Sequence, residues 1–416
     1  MDSYSPTVPK PDHVADALVY DFDHFHDPEM LTRGYDRLLE VARETPPVFW
    51  TPRNGGHWII SSHAAVFEAS RAPERFTTMP VTWETLQAMM AATPEGEPLP
   101  LIAAPNSIDP PHHAAYRGPL QSVFAPKAML GLKDSIRELA VELLEAVKPD
   151  GGCEFMSSVA EPLPVTVFLR LFGLPVERQR QYRDLVKKHF STSAKRDGAT
   201  TLMRLRELAD VMHDTIVDRR DNPKDDIISM LWQAVFDGRP ATMHDLESYC
   251  VMLFSAGLDT VMNGMGLGVD HLARNPDLQA RLRAEPGLIV EASEEIMRRY
   301  TFTTPLRFSV LDQEFAGATI KQGEIALLFL PFADLDPAEF PEPANFDLAR
   351  ENKTHIAFGG GPHRCLGSHL ARIELQVLYE EILARLPLFR IDPERPVAYH
   401  GGYVLGPEKL YLKWSN

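Results

Sequence analysis

The stretch Phe358-Gly359-Gly360-Gly361-Pro362-His363-Arg364-Cys365-Leu366-Gly367-Ser368-His369-Leu370-Ala371-Arg372 restricts the fold more than any other part of this 416-residue chain. Its glycines and proline impose an irregular backbone. An apolar series at helical spacing then begins, with Leu366, Leu370, Ile373, Val377 and Leu378. The switch predicts that Cys365 sits at or just before a helix N-terminus. Free backbone amides and the helix dipole favour a thiolate there. The flanking glycines leave room for something large beside the sulfur. A thiolate presented this way is a nucleophile or a metal ligand.

A net charge of -16 argues against nucleic acid or an anionic membrane as the main partner. Cys153, Cys250 and Cys365 are odd in number and far apart, so no disulfide framework is expected and a reduced, cytoplasmic setting is the better reading. The N-terminus is polar and lacks the apolar core of a signal peptide. The longest apolar run, near Val251 to Leu272, is interrupted by Asp259, Asn263 and Asp270, and reads as a buried helix rather than a membrane span.

Residues 1–30 read as an irregular lead-in. Within it, His24 and His26 beside Asp23 and Asp27 lack spaced partner ligands and read as a solvated loop rather than a metal site. A helix is expected from about Leu31 to Glu44. The segments Val48-Phe49-Trp50 and His57-Trp58-Ile59-Ile60 flank Asn54-Gly55-Gly56 as a β-hairpin. Residues 78–108 read as a long loop with short helical pieces. From Asp109-Pro110-Pro111 onward helical patterns dominate to about Tyr300, including an amphipathic helix marked by Ile136, Leu139, Leu143 and Val147. Breaks are expected near Pro149, Gly173, Pro223 and Gly238. After Tyr300, short strand-like runs alternate with glycines. The chain thus reads as mainly α with a smaller β portion, in one domain spanning 1–416: a β-containing part about 30–78, a helical part about 110–300, and a β or irregular part about 301–416.

Zinc is disfavoured at Cys365 because no CxxC pair completes a site. The glycines do not fit a dinucleotide loop. A cysteine hydrolase would need His363 or His369 as base, without any local signature to support it. Haem ligation by a thiolate remains. Here the pattern Phe358-x-x-Gly361-x-His363-x-Cys365-x-Gly367 resembles the haem-binding signature of the cytochrome P450 superfamily. The resemblance covers nearly the whole chain and is closest to the bacterial camphor-hydroxylase subfamily, through Asn54-Gly55-Gly56-His57-Trp58, Gly257-Leu258-Asp259-Thr260-Val261 and His369-Leu370-Ala371-Arg372.

The resemblance implies a triangular, helix-rich prism with haem b between a long distal helix and the helix after the cysteine loop. Cys365 would ligate the iron. Gly257 and Thr260 would lie where the distal helix opens locally for O2, with Thr260 hydrogen-bonding the iron-bound oxygen. Asp259 would gate proton delivery, held meanwhile by Lys187 or Lys195. His113, Arg117, Arg307 and His363 would bind the propionates, and Phe358 would complete the cofactor loop. Glu295, Arg298 and Arg350 would form a buried structural network. Electrons would come from NAD(P)H indirectly, through a reductase and a [2Fe–2S] ferredoxin docking at Arg75, Arg117, Lys353 and Arg364. The chain would act as a monomer.

By the same alignment Leu101 stands where the camphor enzyme has a tyrosine donor, after an insertion at 87–98. The loss of that donor disfavours camphor. Leu101, Met252, Thr303, Val404 and Trp83 are expected to line an apolar pocket for a cyclic terpenoid such as 1,8-cineole or an ionone. Pro305 replaces the family's aspartate near a propionate. The Asp259–Thr260 pair speaks against a peroxygenase, and the intact Thr260 and Cys365 speak against a silent haem carrier.

Overall fold

The computed structural model describes residues 4–190, 198–236 and 238–415. Strands Val48–Thr51 (β1) and His57–Ile60 (β2) pair antiparallel, Val48 opposite Ile60. Asn54, Gly55 and Gly56 in the turn all have positive φ, which Asn-Gly-Gly adopts at low cost. Phe76–Thr77 (β3), Leu306–Ser309 (β4) and Ile325–Leu328 (β5) complete a five-stranded sheet in the order β1-β2-β5-β4-β3. Only the β5–β2 pair is parallel. Every side chain of β1 and β2 is buried, and the Trp58 Nε1–H donates to Glu324 at 2.8 Å.

The helices that frame the site are His63–Arg71 (α1), Trp83–Ala91 (α2), His113–Val123 (α3), Lys133–Val147 (α4), Pro162–Phe172 (α5), Met243–Arg274 (α6), Ile289–Arg299 (α7) and Ser368–Arg385 (α8). The 32-residue α6 starts at a capping box, in which Asp245 N–H donates to the Thr242 hydroxyl and Thr242 N–H donates to the Asp245 carboxylate. It is long and apolar enough to cross a bilayer, but it packs against α5, α7 and α8, with Tyr249, Phe254 and Met265 wholly enclosed. Its polar residues are therefore interior features of a core helix. The face of α4 that carries Ile136, Leu139, Ala140 and Leu144 is buried.

Several expectations need correction. The first helix is two helices, Pro28–Arg33 and Tyr35–Glu44, broken at Gly34. That residue has φ +54°, and the Tyr399 ring lies 3.0 Å from where a Cβ would stand. The loop at His24 is not solvated: Asp23, His24 and Asp27 are fully enclosed. Asp23 accepts hydrogen bonds from Ser5 N–H and Asn54 Nδ2, tying the lead-in to the hairpin turn. Those bonds overcome the upward push of burial and hold its carboxyl at about 2. The helical region also contains unexpected short strands: Gly152–Glu154 pairs with Tyr411–Trp414 from the C-terminal end, and Val235–Phe236 pairs with Arg239–Pro240.

Candidate active site

A cavity of about 450 Å³ lies between α6 and the cysteine loop, within the range of roughly 300–1,000 Å³ usual for ligand sites. Helix α6 contributes Met252, Gly257, Thr260 and Gly264; α5 contributes Phe168; the loop contributes Phe358, His363 and Cys365. Thr303, Pro305, Arg307 and Arg117 complete much of the wall. The lining is mainly apolar, with cations gathered on a few elements.

Cys365 stands three residues ahead of α8, and its N–H donates to the Phe358 carbonyl at 2.8 Å. The Arg372 guanidinium lies 4.5 Å from the centre of the Phe358 ring and is anchored to Glu294 by a 2.7 Å hydrogen bond. The glycines divide the work. Gly361 has φ +63°, and an added Cβ would stand 2.2 Å from the Ser70 carbonyl of α1, so this glycine seats the loop on α1. Gly359 and Gly367 have open space where a side chain would project. Cys365 keeps exposed surface on the cavity wall, yet the protein packed around it strips hydration and raises the thiol, while the Gly367 N–H and then Arg117, Arg364 and Arg372 oppose that rise. The position alone therefore does not secure the thiolate that the helix start led one to expect. A bound metal ion would deprotonate it outright.

Thr260 sits on α6 with its hydroxyl donating to the Ala256 carbonyl at 2.9 Å. Helix α6 is continuous through this point, so the expected local opening is not an interruption of the helix. Gly257 serves the packing of α5: a Cβ would stand 2.5 Å from the Phe168 ring. Asp259 does not line the cavity; its carbonyl accepts from Asn263 Nδ2 at 2.8 Å. Lys187 and Lys195 lie outside the residues whose side chains are described.

Arg307 is 7% exposed and Arg117 is half-buried, and neither has a carboxylate within ion-pair distance among the described residues. Burial lowers both, Arg307 to about 10. Arg307 donates to the Leu306 carbonyl at 2.8 Å and Arg117 to the Arg364 carbonyl at 2.6 Å. His363 is already engaged, its Nε2 2.7 Å from Asp109 Oδ1. Burial pushes Asp109 up, but hydrogen bonds from His363, Thr77 and Thr78 prevail and hold it at about 2. His113 is not in the cavity wall; it packs edge-on against His363 with ring centres 4.6 Å apart, and burial lowers it to about 4. Among the described residues, the buried nitrogens His113 Nε2 and His363 Nδ1 have no partner. Sequence reasoning missed Asp109 as a site residue, although it stands at the start of the motif that contains His113 and Arg117.

This donor set fits haem b. One cysteine sulfur is available for iron, an apolar slot accommodates the macrocycle, and buried guanidinium groups lacking counter-ions are matched to two propionates.

Glu295, Arg298 and Arg350 form one buried cluster. Both Arg298 Nε and an Arg298 terminal nitrogen donate to Glu295 at 2.8 Å, and Arg350 Nε donates at 3.2 Å. Arg298 also donates to the carbonyls of Asp334 and Pro343, and Arg350 to those of Pro341 and Asn345. The cluster thus fastens the irregular 334–350 stretch to α7.

Of the expected substrate contacts, Met252 and Thr303 line the cavity, whereas Leu101, Trp83 and Val404 do not. Leu101 is drawn into the core because its neighbours are tied to α6: the Pro100 carbonyl contacts His244 Nε2 at 2.9 Å and Ile102 N–H donates to Ser248. Trp83 is stacked on His112, with ring centres 4.7 Å apart. Val404 forms a β-bridge with Thr303, which does line the wall. Among the docking candidates, Arg364 and Lys353 are exposed. Arg75 is tied to Glu68 and Gln313, and both Arg117 and Arg364 also reach the cavity wall.

The family model described as Cytochrome P450 matches residues 176–414. A protein described as probable cytochrome P450 127A1, from Sinorhizobium fredii (strain NBRC 101917 / NGR234), is 33% identical over 418 residues, covering 98% of each chain. Cytochrome P450-terp from Pseudomonas sp is 30% identical, covering 86% of this chain and 88% of its own. The crystal structure of CYP101J2 superposes with a TM-score of 0.85 at 32% identity, covering 98% of this chain and all (100%) of that one. That of CYP101C1 gives 0.84 at 31% identity, with the same coverage.

Proposed function

The chain belongs to the cytochrome P450 family and is a haem-dependent monooxygenase, and from that premise we propose that its substrate is a small apolar cyclic terpenoid, 1,8-cineole, an ionone or a relative. The observation that carries this reading is the mainly apolar wall facing Cys365, built from Met252, Phe168, Val261 and Thr303. Likeness to P450-terp and to the CYP101 structures supports it. Apolar burial gives such a ligand affinity, while the scarcity of polar groups leaves its orientation to shape.

The bound haem supplies O2 activation and oxygen transfer. Cys365 would hold the iron, while Arg117 and Arg307 would neutralise the propionates. Asp109 holds His363 in place through the Nε2 contact. Phe168 and Met252 exclude water and position the C–H bond. Thr260 and Asp259 serve proton delivery: the Thr260 hydroxyl, now on the Ala256 carbonyl, turns to the cavity when an acceptor arrives. Exposed Arg364 and Lys353 form the docking point for a [2Fe–2S] ferredoxin, giving the acidic partner its orientation. The protein works as a single-domain monomer in the cytoplasm.

The test is a spin-state titration of the purified holoenzyme with camphor, 1,8-cineole and ionones, followed by product analysis with a ferredoxin system. A low- to high-spin shift with cineole or an ionone, matched by NAD(P)H-linked hydroxylated product, is expected. No shift with any of these ligands in haem-replete protein would overturn the substrate class.

A further inference from the structure

One side of the cavity is the segment 302–307, from which Phe302, Thr303, Pro305, Leu306 and Arg307 line the space that Cys365 also lines. Its second half is strand β4 and belongs to the five-stranded sheet. Its first half takes its backbone hydrogen bonds from the turn 402–405. Thr304 N–H donates to the Tyr403 carbonyl at 2.9 Å, and Leu405 N–H donates to the Phe302 carbonyl at 2.8 Å. Thr303 and Val404 form the bridge between them, and the buried Thr304 hydroxyl donates to the Gly402 carbonyl at 3.3 Å. Where Thr303 stands is therefore set by where this turn stands.

The turn is held in its place by the N-terminal lead-in. Gly402 N–H donates to the His24 carbonyl at 3.0 Å, and a Cβ on Gly401 would run into that same carbonyl, so the two backbones are in contact. Gly402 has φ +120°, and the Phe25 ring lies 3.4 Å from where its Cβ would stand. The half-buried Phe25 ring meets the Tyr403 ring edge-on, with centres 5.3 Å apart. The lead-in is itself rigid here: Asp23, wholly enclosed, accepts from the Phe25 and His26 N–H groups as well as from Ser5 and Asn54. Leu405 and Phe302 pack in one apolar cluster with Phe22 and Met30, apart from the main core. Close-packed groups transmit a displacement rather than absorb it. Neither Phe25 nor Tyr403 lines the cavity. We propose that Phe25 is a positioning residue for the substrate pocket: by seating the 402–405 turn it fixes the Thr303 side of the wall, and so the ligand outline that the cavity accepts. This rests on haem and ligand sharing that cavity, but on no particular substrate.

Two azoles that bind haem iron and report through its spectrum test this without turnover and without the natural substrate. Imidazole is small enough to need no wall, whereas the phenyl ring of 4-phenylimidazole must fit against it. In haem-replete Phe25→Ala the affinity for 4-phenylimidazole should fall by about tenfold, the lower end of what one misfitted methylene costs in an apolar pocket. Imidazole affinity should stay at the wild-type value, and Phe25→Leu should recover part of the loss. Tyr403→Ala should show the same selective loss, and the double variant should bind no worse than the poorer single variant, because both act through one contact. Wild-type affinity for 4-phenylimidazole in Phe25→Ala would overturn the proposal. Equal losses for both azoles, or losses that add in the double variant, would do the same, since they report a general loosening of the fold. If Phe25→Ala does not retain haem, Phe25→Leu carries the test: a loss confined to 4-phenylimidazole supports the role, and a loss for both azoles or for neither refutes it.

Discussion

Replacing Glu295 by Gln keeps the side-chain volume and removes one charge from the most tightly enclosed ionic cluster near the site. Arg298 is 1% exposed and Arg350 8%, so neither guanidinium reaches water when its counter-ion is lost. Glu295 accepts from both arginines and from the Asp347 N–H at 3.1 Å. A glutamine leaves at least one of these donors without an acceptor and two cations facing each other. Breaking a buried pair from one side costs about 3–5 kcal/mol. With an unfolding entropy of ~2.1 cal/mol/K per residue over 416 residues, that corresponds to a loss of roughly 3–6 °C in Tm. The stretch held by the cluster leads into the cysteine loop, so haem retention should fall alongside. The assay is thermal unfolding of holoenzyme, followed by far-ultraviolet dichroism and by Soret absorbance in the same sample. A Tm within about 1 °C of wild type, with full haem content, would refute the reasoning.

Other substitutions report on separate parts of the site. Gly361→Ala sets a methyl group 2.2 Å from the Ser70 carbonyl at a backbone with φ +63°, so the loop must leave α1; a loss of haem content, read from the Soret-to-280 nm ratio, is expected. Glu374 has a folded-state pKa raised from 4.5 to about 8, so its contribution to stability is complete below pH 4.5 and disappears as pH rises through about 8. At ~1.4 kcal/mol per pH unit this amounts to about 5 kcal/mol across that window, which Glu374→Gln should remove. Denaturant titrations at several pH values, taken as wild type minus variant, measure it. Thr260→Ala should divert electrons from product to free hydrogen peroxide, quantified against NAD(P)H consumed, with little change in substrate affinity.

The cysteine loop, the β1–β2 hairpin and the buried helix α6 were legible because each rests on local chemistry: glycines at positive φ, apolar spacing, and polar breaks in an apolar run. The Glu295 cluster was legible only through resemblance, since a Glu and an Arg three residues apart are ordinarily exposed. What failed depended on tertiary placement. Nothing local distinguishes a solvated His24 from an enclosed one, because the burial comes from Phe329 and His57, far away in sequence. Leu101, Trp83 and Val404 are apolar and near the right elements, but their side chains are claimed by the core, by His112 and by a strand bridge. Gly257 lines the cavity as expected, and its packing against Phe168 is the part that local sequence does not show. Asp109 and Glu374 each gain their interest from what surrounds them, and a single chain read residue by residue does not show surroundings.

The central claim is that Cys365 is the thiolate ligand of a haem held in this cavity. The reduced carbon-monoxide difference spectrum measures it most directly. A strongly red-shifted Soret band is expected for thiolate ligation, together with its loss in Cys365→Ser with the fold retained. A wild-type protein that binds haem yet gives only the unshifted band of a histidine- or water-ligated iron, or that binds no haem, would contradict it.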